Sequence, residues 1–235
     1  MRIIIDTETT GLNPEQDEIL QLAILDADTG ATLYNQYHKP QHVEEWAEAE
    51  AVNHITPEYV EDCEPITSPL CAGKIREILD QADEIIGYNT GFDLAMLAGA
   101  GYEVAVDMIQ ITDVMKMFAP LYGQWSEEHH NYKWQKLTIC AAYLGYDWGE
   151  YPAHDALNDC QATLYCWKQL KARCNELSDF MIQSMCETAC MLIGTASRIQ
   201  RESTNSELVF VSQRKLGSML YCMKKELRGI RDGDT

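Results

Sequence analysis

The first ten residues place two carboxylates at the end of a short, strongly apolar run. The segment from Arg2 to Ile5 is rich in β-branched residues and is followed at once by Asp6, which predicts a buried central strand. Side chains alternate between the two faces of a strand, so Asp6 and Glu8 project to the same side. Two neighbouring negative charges repel, and a divalent cation between them turns that repulsion into binding. The alternative is a pair of solvated carboxylates at a strand end.

Turns and apolar runs along the chain predict an α/β fold. Three strands separated by turn residues form a predicted antiparallel meander, and helices and strands then alternate. The predicted strands are residues 2–6, 19–25, 31–37, 84–87 and 108–112. The predicted helices are residues 43–52, 57–62, 69–82, 92–100, a segment that runs on toward 118, 136–144 and 155–174. We therefore expect a central mixed five-stranded sheet flanked by helices, a mobile loop over 121–133, and a small, mainly helical C-terminal extension over 176–235.

Cysteine usage and hydropathy narrow the class of protein. Nine cysteines are present, none in a C-x-x-C pair or at a spacing that suits zinc. We interpret them as reduced thiols that fill small core positions. No run is long and apolar enough to span a membrane, and the sequence shows no secretory signal. We therefore expect a cytoplasmic protein that does not contact a membrane.

The formal net charge of −19 is unfavourable for binding a polyanion, but the charge is unevenly distributed. Residues 198–231 carry eight Lys/Arg against three acids, a net charge of +5, whereas residues 1–197 have a net charge of −22. The basic segment is either a contact for nucleic acid or a protein partner, or a solvated helix face. The acidic body suits a site that concentrates divalent cations.

Two later segments place acids and a histidine beside predicted helix starts. Asp93 follows the strand over 84–87, where it is either a metal ligand or an acid that stabilises the helix dipole. His154 and Asp159 are five residues apart and do not share a helix face, but a bent entry to the helix aims both into one cleft. A histidine titrates near neutral pH and can take a proton from water. The alternative for His154 is a loop or capping residue.

Three segments, taken together, resemble the motifs of the DEDDh 3′→5′ exonuclease family, which includes polymerase proofreading subunits. Residues 3–12, IIIDTETTGL, are similar to the first motif, and residues 89–93, NTGFD, are similar to the second. Residues 154–159, HDALND, are similar to the third, in which histidine rather than tyrosine marks this branch. The resemblance covers residues 1–175, so we expect this range to be the exonuclease domain.

The resemblance implies a ribonuclease-H-like core and a defined chemistry. Family members hydrolyse the 3′-terminal phosphodiester, and we expect release of nucleoside monophosphates from the 3′ ends of single-stranded DNA. Four carboxylates are implied to bind two Mg²⁺ ions about 4 Å apart, with Mn²⁺ as a substitute. They are Asp6, Glu8, Asp93 and Asp159. His154 is the implied general base that takes a proton from the attacking water.

The resemblance also implies contacts to the terminal nucleotide. The backbone near Thr9 and the side chain of Leu12 are expected to hold it, and Asn89 and Phe92 are expected to line the same pocket. Phe92 either stacks on a base or is a core aromatic residue, and the sequence leaves both interpretations open.

Several alternatives remain at this stage. The substrate is either DNA, in proofreading, repair or the replication of a mobile element, or RNA that is cut by the same mechanism. Tyr88 and Asn53 stand where many family members have histidine, and they bear on this choice. A fold without activity that serves as a partner-binding module is a third interpretation. Residues 176–235 offer a surface for a polymerase, another protein or self-association. Asp155 either tunes the pKa of His154 or caps the helix that follows it.

Overall fold

The structure is a computed structural model, and it describes residues 1–149 and 153–175. The predicted extension over 176–235, including the basic segment 198–231, lies outside the described residues. Within the described part of the chain, no helix is both long enough and apolar enough to cross a membrane.

Five strands form one mixed sheet. They are β1 (Arg2–Thr9), β2 (Ile19–Asp26), β3 (Thr32–Tyr37), β4 (Glu84–Gly87) and β5 (Gln110–Asp113). Their order across the sheet is β3-β2-β1-β4-β5, so β1 is the central strand. The first three strands pair antiparallel, as the predicted meander requires, and β1, β4 and β5 pair parallel. The predicted mixed five-stranded sheet is therefore confirmed.

Seven helices are described around the sheet. They are α1 (Ala47–Asn53), α2 (Pro57–Val60), α3 (Pro69–Asp80), α4 (Thr90–Gly99), α5 (Val114–Tyr122), α6 (Leu137–Leu144) and α7 (residues 156–175). Proline at the first position starts both α2 and α3, where the missing N–H has no helical partner to lose. The predicted helices are found with shifts of a few residues at their ends.

The prediction that residues 121–133 form a loop without secondary structure was wrong for part of that range. Helix α5 continues to Tyr122, and Gly123 ends it in the left-handed conformation, with φ +78°. Two short strands, β6 (Trp125–Ser126) and β7 (Asn131–Tyr132), then form a separate hairpin. The rings of Trp125 and Tyr132 pack edge to face across it, 5.2 Å apart. Strands of two residues are too short to show alternation in the sequence, so the hairpin is seen only in the structure, from its strand pairing and its aromatic contact.

The two faces of β1 pack into different cores. Ile3 and Ile5 face helices α3 and α4, whereas Ile4 faces α5, α6 and α7. Because side chains alternate, Thr7 continues the first set and the two acids Asp6 and Glu8 continue the second. Four cysteines are buried among these residues as free thiols, as predicted: Cys71, Cys140, Cys160 and Cys166. Cys63 is partly buried and Cys174 is exposed, so Cys174 does not fill the predicted core position.

The central position of β1 predicts a large cost for removing its buried side chains. Ile4 is fully buried, and Ile4→Ala is expected to lower the free energy of unfolding by about 2–5 kcal/mol, because the cavity cannot collapse between packed layers. Denaturant unfolding followed by circular dichroism measures the change. Met108→Ala, at a side chain that is 85% exposed, is the control and is expected to change stability by less than about 0.5 kcal/mol. Equal effects of the two substitutions would contradict the assigned core.

Candidate active site

The site begins where the short strand β4 stops. Strand β4 pairs with β1 only at Arg2, Ile3 and Ile4 and ends at Gly87, whereas β1 continues to Thr9. The edge of β1 beyond Ile4 is therefore open on this side. Helix α4 starts three residues after Gly87 and places its first turn next to that edge.

The first turn of α4 carries Asp93, which is bound by β1. The Thr7 hydroxyl donates a hydrogen bond of 2.7 Å to Asp93 Oδ1, and the Thr7 backbone also bonds this carboxylate. The turn into α4 is made by Asn89, whose left-handed conformation, φ +66°, reverses the chain between strand and helix. Asp93 is thus fixed on the edge that β4 leaves open.

Strand β1 itself supplies Asp6 and Glu8. Asp6 is partly buried, and Glu8 is buried just before a bulge between Glu8 and Thr9. The Asn53 side chain bonds Glu8 and also donates from Nδ2 to the Thr9 carbonyl oxygen, at 3.2 Å. The C-terminal end of α1, where Asn53 lies, therefore supports the end of β1.

His154 and Asp159 reach the same place from the start of α7. His154 has a left-handed backbone, with φ +69°, and its N–H donates to Asp159 Oδ1 at 3.3 Å. This bend confirms the predicted bent entry. One side-chain donor atom from each of Glu8, His154 and Asp159 lies within 4.8 Å of the others, close enough to hold a metal ion. Asp159 and Glu8 are buried, whereas His154 is exposed to solvent.

All four carboxylates have pKa values above their ordinary values. Burial is the main cause in every case, and it raises the pKa of Glu8 to about 8 and those of Asp93 and Asp159 to about 7. The pKa of Asp6 is raised well above its ordinary value by burial and then by the charges of Asp93, Asp159 and Glu8. Among the described residues, no Lys or Arg forms an ion pair with any of the four. Buried oxygen donors without a compensating cation fit a hard divalent metal ion.

The pKa of His154 is shifted in the opposite direction. Partial burial lowers it, and the nearby positive groups of Lys136 and His54 lower it further. An imidazole with a lowered pKa is neutral at physiological pH and is able to accept a proton. His154 therefore combines a solvent-exposed side chain with the protonation state that a base requires.

The four residues predicted to hold a nucleotide lie around the carboxyl ends of β1 and β4. Thr9 is buried, and its hydroxyl donates a hydrogen bond of 2.6 Å to the Gly11 carbonyl oxygen. Leu12 follows on the turn, and 84% of its surface is exposed. Asn89 is exposed, and Phe92 is partly buried against the core under α4. Phe92 thus has both a packed and an accessible part.

Sequence reasoning did not assign a role to Thr7, and it considered Asn53 only as a departure from the family pattern. The hydrogen bond from Thr7 to Asp93 joins residues 86 positions apart, so no local pattern reveals it. Asp155 caps α7, because its Oδ1 accepts from the N–H groups of Leu157 and Asn158 at 3.1 Å. The capping interpretation of Asp155 is therefore confirmed.

A mixed sheet of this order, with an acidic cluster at the carboxyl ends of its central parallel strands, defines a nuclease of the ribonuclease-H-like fold. A family model described as Exonuclease, RNase_T, matches residues 3–166, well over half of the chain. The chain belongs to this exonuclease family, as its three motifs predicted. No curated protein sequence matches the chain.

Solved structures of exonucleases share the fold. A zinc-bound complex of E. coli exonuclease I with single-stranded DNA has a TM-score of 0.61 and 21% identity, over 77% of this chain and 42% of that one. Exonuclease X in complex with 5′-overhanging duplex DNA has a TM-score of 0.54 and 21% identity, over 74% of this chain and 92% of that one. The chain thus spans less than half the length of exonuclease I.

The raised pKa of Asp93 predicts how pH acts on the metal-free protein. The ordinary aspartate pKa is about 4, and that of Asp93 is raised to about 7. Between these values the folded protein binds more protons than the unfolded chain, so this group's contribution to stability falls as pH rises. Asp93→Asn removes the titration and keeps an acceptor for Thr7. In chelator, we expect its Tm to exceed the wild-type Tm by an amount that grows from pH 5 to pH 8, on the order of a few degrees.

The control for this measurement is Glu77→Gln, which removes one charge from an exposed position on α3. Its Tm difference from the wild type is expected to stay constant over the same pH range. A constant difference for Asp93→Asn as well would contradict the desolvated state of this carboxyl group.

Proposed function

We propose that the chain is a metal-dependent 3′→5′ exonuclease that releases nucleoside monophosphates from the 3′ ends of single-stranded DNA. The observation that carries the proposal is the convergence of buried carboxylates and one exposed histidine at the end of β1. The family match supports the hydrolytic activity. The DNA complexes of exonuclease I and exonuclease X support the choice of nucleic acid.

We assign the metal ligands to the four carboxylates. Asp6, Glu8, Asp93 and Asp159 would hold two Mg²⁺ ions, with Mn²⁺ as a substitute. When bound, two such ions neutralise charge on the phosphate and stabilise the attacking and leaving oxygens. The protein orients the ligands beforehand, since Thr7 fixes Asp93 and the His154 N–H fixes Asp159.

His154 is the proposed general base. Its lowered pKa keeps the ring neutral near pH 7, so it is able to take the proton of the attacking water. Because the side chain is exposed, the proton then passes to solvent and the base is regenerated. The nearby positive charge of Lys136 opposes a second positive charge on the ring and favours this proton loss.

The terminal nucleotide is proposed to lie between the turn after β1 and the start of α4. The exposed Leu12 offers an apolar surface to a base, and Phe92 offers the accessible part of its ring for stacking. Thr9 contributes backbone groups and Asn89 an exposed amide. RNA is the alternative strand, and the name of the matching family model, RNase_T, favours testing it.

The biological setting follows from the same proposal. The proposed exonuclease domain is residues 1–175, a range that contains the family match over residues 3–166. Residues 176–235 would recruit a polymerase or another partner, or self-associate, in proofreading or repair in the cytoplasm. The net charge of +5 over residues 198–231 suits contact with a nucleic acid or an acidic partner.

The activity is tested on 5′-labelled and 3′-labelled single strands of DNA and RNA, with Mg²⁺ or with chelator. We expect the 5′-labelled strand to shorten to a ladder only with metal, and the 3′-labelled strand to release a labelled mononucleotide at once. Asp6→Ala is expected to abolish shortening. His154→Ala is expected to lower kcat by about 10²- to 10⁴-fold and to leave Mn²⁺ affinity, measured by calorimetry, largely unchanged.

Glu77→Gln is the matched control, because it removes a carboxylate far from the site and is expected to keep full activity. The sugar that is cut faster identifies the substrate class. If neither DNA nor RNA strands are shortened with Mg²⁺ or with Mn²⁺, the enzymatic proposal is overturned and the partner-binding module is favoured.

Leu12 gives a test of nucleotide binding that is separate from the chemistry. Leu12→Ala is expected to raise KM by roughly tenfold, since it removes about 1–2 kcal/mol of apolar contact, while kcat changes little. Its exposed position predicts a change of less than about 0.5 kcal/mol in the free energy of unfolding. Steady-state kinetics on short oligonucleotides measures both constants, and an unchanged KM would remove Leu12 from the binding site.

A further inference from the structure

Asp155, the residue next to His154, is hydrogen-bonded to two strands that carry none of the catalytic carboxylates. Its Oδ2 accepts a hydrogen bond from Gln21 Nε2 in β2 and another from the Tyr37 hydroxyl in β3, each 3.0 Å long. Its Oδ1 caps α7. One carboxylate thus joins the start of the helix to the sheet.

The sheet register connects these two strands to the site. Glu8 of β1 lies directly opposite Gln21 of β2, and Gln21 lies directly opposite Tyr37 of β3. Directly paired residues project from the same face of a sheet. The three side chains therefore form one row across β1, β2 and β3. One end of the row is a proposed metal ligand, and the other two members hold Asp155.

Both polar atoms of the Gln21 side chain form hydrogen bonds in this arrangement. It is fully buried in a strand whose other members are almost all apolar, ILQLAILD. Its Nε2 donates to Asp155 and to Asn35 Oδ1 at 3.1 Å, and its Oε1 accepts from the Ala156 N–H at 3.1 Å. A buried amide is tolerated only when its donors and acceptors are satisfied. The Gln21 side chain therefore binds the start of α7 at one side chain, that of Asp155, and at one backbone N–H, that of Ala156.

The segment held by these hydrogen bonds includes one residue with an unfavourable backbone conformation. His154 adopts a left-handed conformation, φ +69°, which side-chain-bearing residues adopt only when the surroundings impose it. The bonds on the residues that follow, Asp155 and Ala156, fix its C-terminal side. The bond from the His154 N–H to Asp159 fixes the same turn from within.

We propose that Gln21 and Tyr37 are positioning residues, which act through Asp155 to hold His154 in the orientation that faces Glu8 and Asp159. The inference rests on the proposed function of His154 as general base. The alternative is that Asp155 only caps α7 through Oδ1 and stabilises the fold. In that case the hydrogen bonds at Oδ2 have no effect on catalysis.

Tyr37→Phe is the most conservative test, since it removes one hydroxyl and keeps the ring that packs on Tyr59. We expect kcat to fall by about tenfold with KM unchanged. Tyr34→Phe is the matched control: it removes a hydroxyl from the same strand, where Tyr34 is bonded to Gln36 and His38 and packs in the opposite core. It is expected to leave kcat unchanged.

Asp155→Asn separates the cap from the link to the sheet. The variant keeps one oxygen that accepts from the first turn of α7, but its amide nitrogen cannot accept from Gln21 and Tyr37. We expect a lower Tm, because the buried Gln21 Nε2 then faces a second donor, together with a loss of kcat at least as large as that of Tyr37→Phe. A loss of Tm without a loss of kcat in either variant would overturn the proposal.

A double-mutant cycle with His154→Ala identifies the route of the effect. If Tyr37 acts through His154, adding Tyr37→Phe to His154→Ala lowers kcat no further. Multiplied losses would show that Tyr37 acts elsewhere and would overturn the proposal. Inactivity of the wild type would instead contradict the proposed function, so the two failures are distinguishable.

An observation that does not depend on activity completes the test. The ¹⁵N and ¹³C NMR signals of the His154 imidazole report its orientation and environment in the full chain. We expect them to shift or broaden in Tyr37→Phe and Asp155→Asn and to stay in place in Tyr34→Phe. Unchanged signals in both variants would overturn the positioning role, whatever the strand assays show.

Discussion

Mutual repulsion among Asp6, Glu8, Asp93 and Asp159 is the constraint on which the rest of the site depends. Glu8, Asp93 and Asp159 are buried and Asp6 is partly buried at the end of the central strand, and no basic side chain of the described residues pairs with them. Burial raises all four pKa values, and the charges of the other carboxylates raise those of Asp6 and Glu8 further, so full ionisation of the four groups without a cation is unfavourable. A divalent cation relieves this repulsion, so the same arrangement that destabilises the folded protein creates affinity for metal.

The sheet makes this concentration of charge possible. Strand β4 ends at Gly87, and the open edge of β1 beyond Ile4 receives the first turn of α4 with Asp93. The opposite edge of β1 pairs with β2, and the row that starts at Glu8 continues through Gln21 toward the entry of α7. Carboxylates that are far apart in the chain thus meet because a short parallel strand lies beside a long central one.

Negative charge of the body and a nucleic-acid substrate are compatible in this arrangement. The formal net charge of −19 opposes binding of a phosphate backbone at long range. At the site, metal ions held by carboxylates would meet the phosphate, while Leu12 and Phe92 offer contacts to the base that do not depend on charge. Under the proposed function, affinity would be concentrated at the 3′ end rather than spread along the strand, as removal of terminal nucleotides requires.

The sequence by itself determined the central strand, the antiparallel meander and the segments that carry the acids, because apolar runs, turns and helix starts are local signals. It also indicated the family through the segments around Asp6, Asp93 and His154. It could not show that Thr7 bonds Asp93 or that Gln21 and Tyr37 hold Asp155, and it missed the hairpin closed by Trp125 and Tyr132. These features were decided only by the tertiary structure, because strand register and the pairing of distant side chains depend on how separate segments pack, which no local pattern encodes.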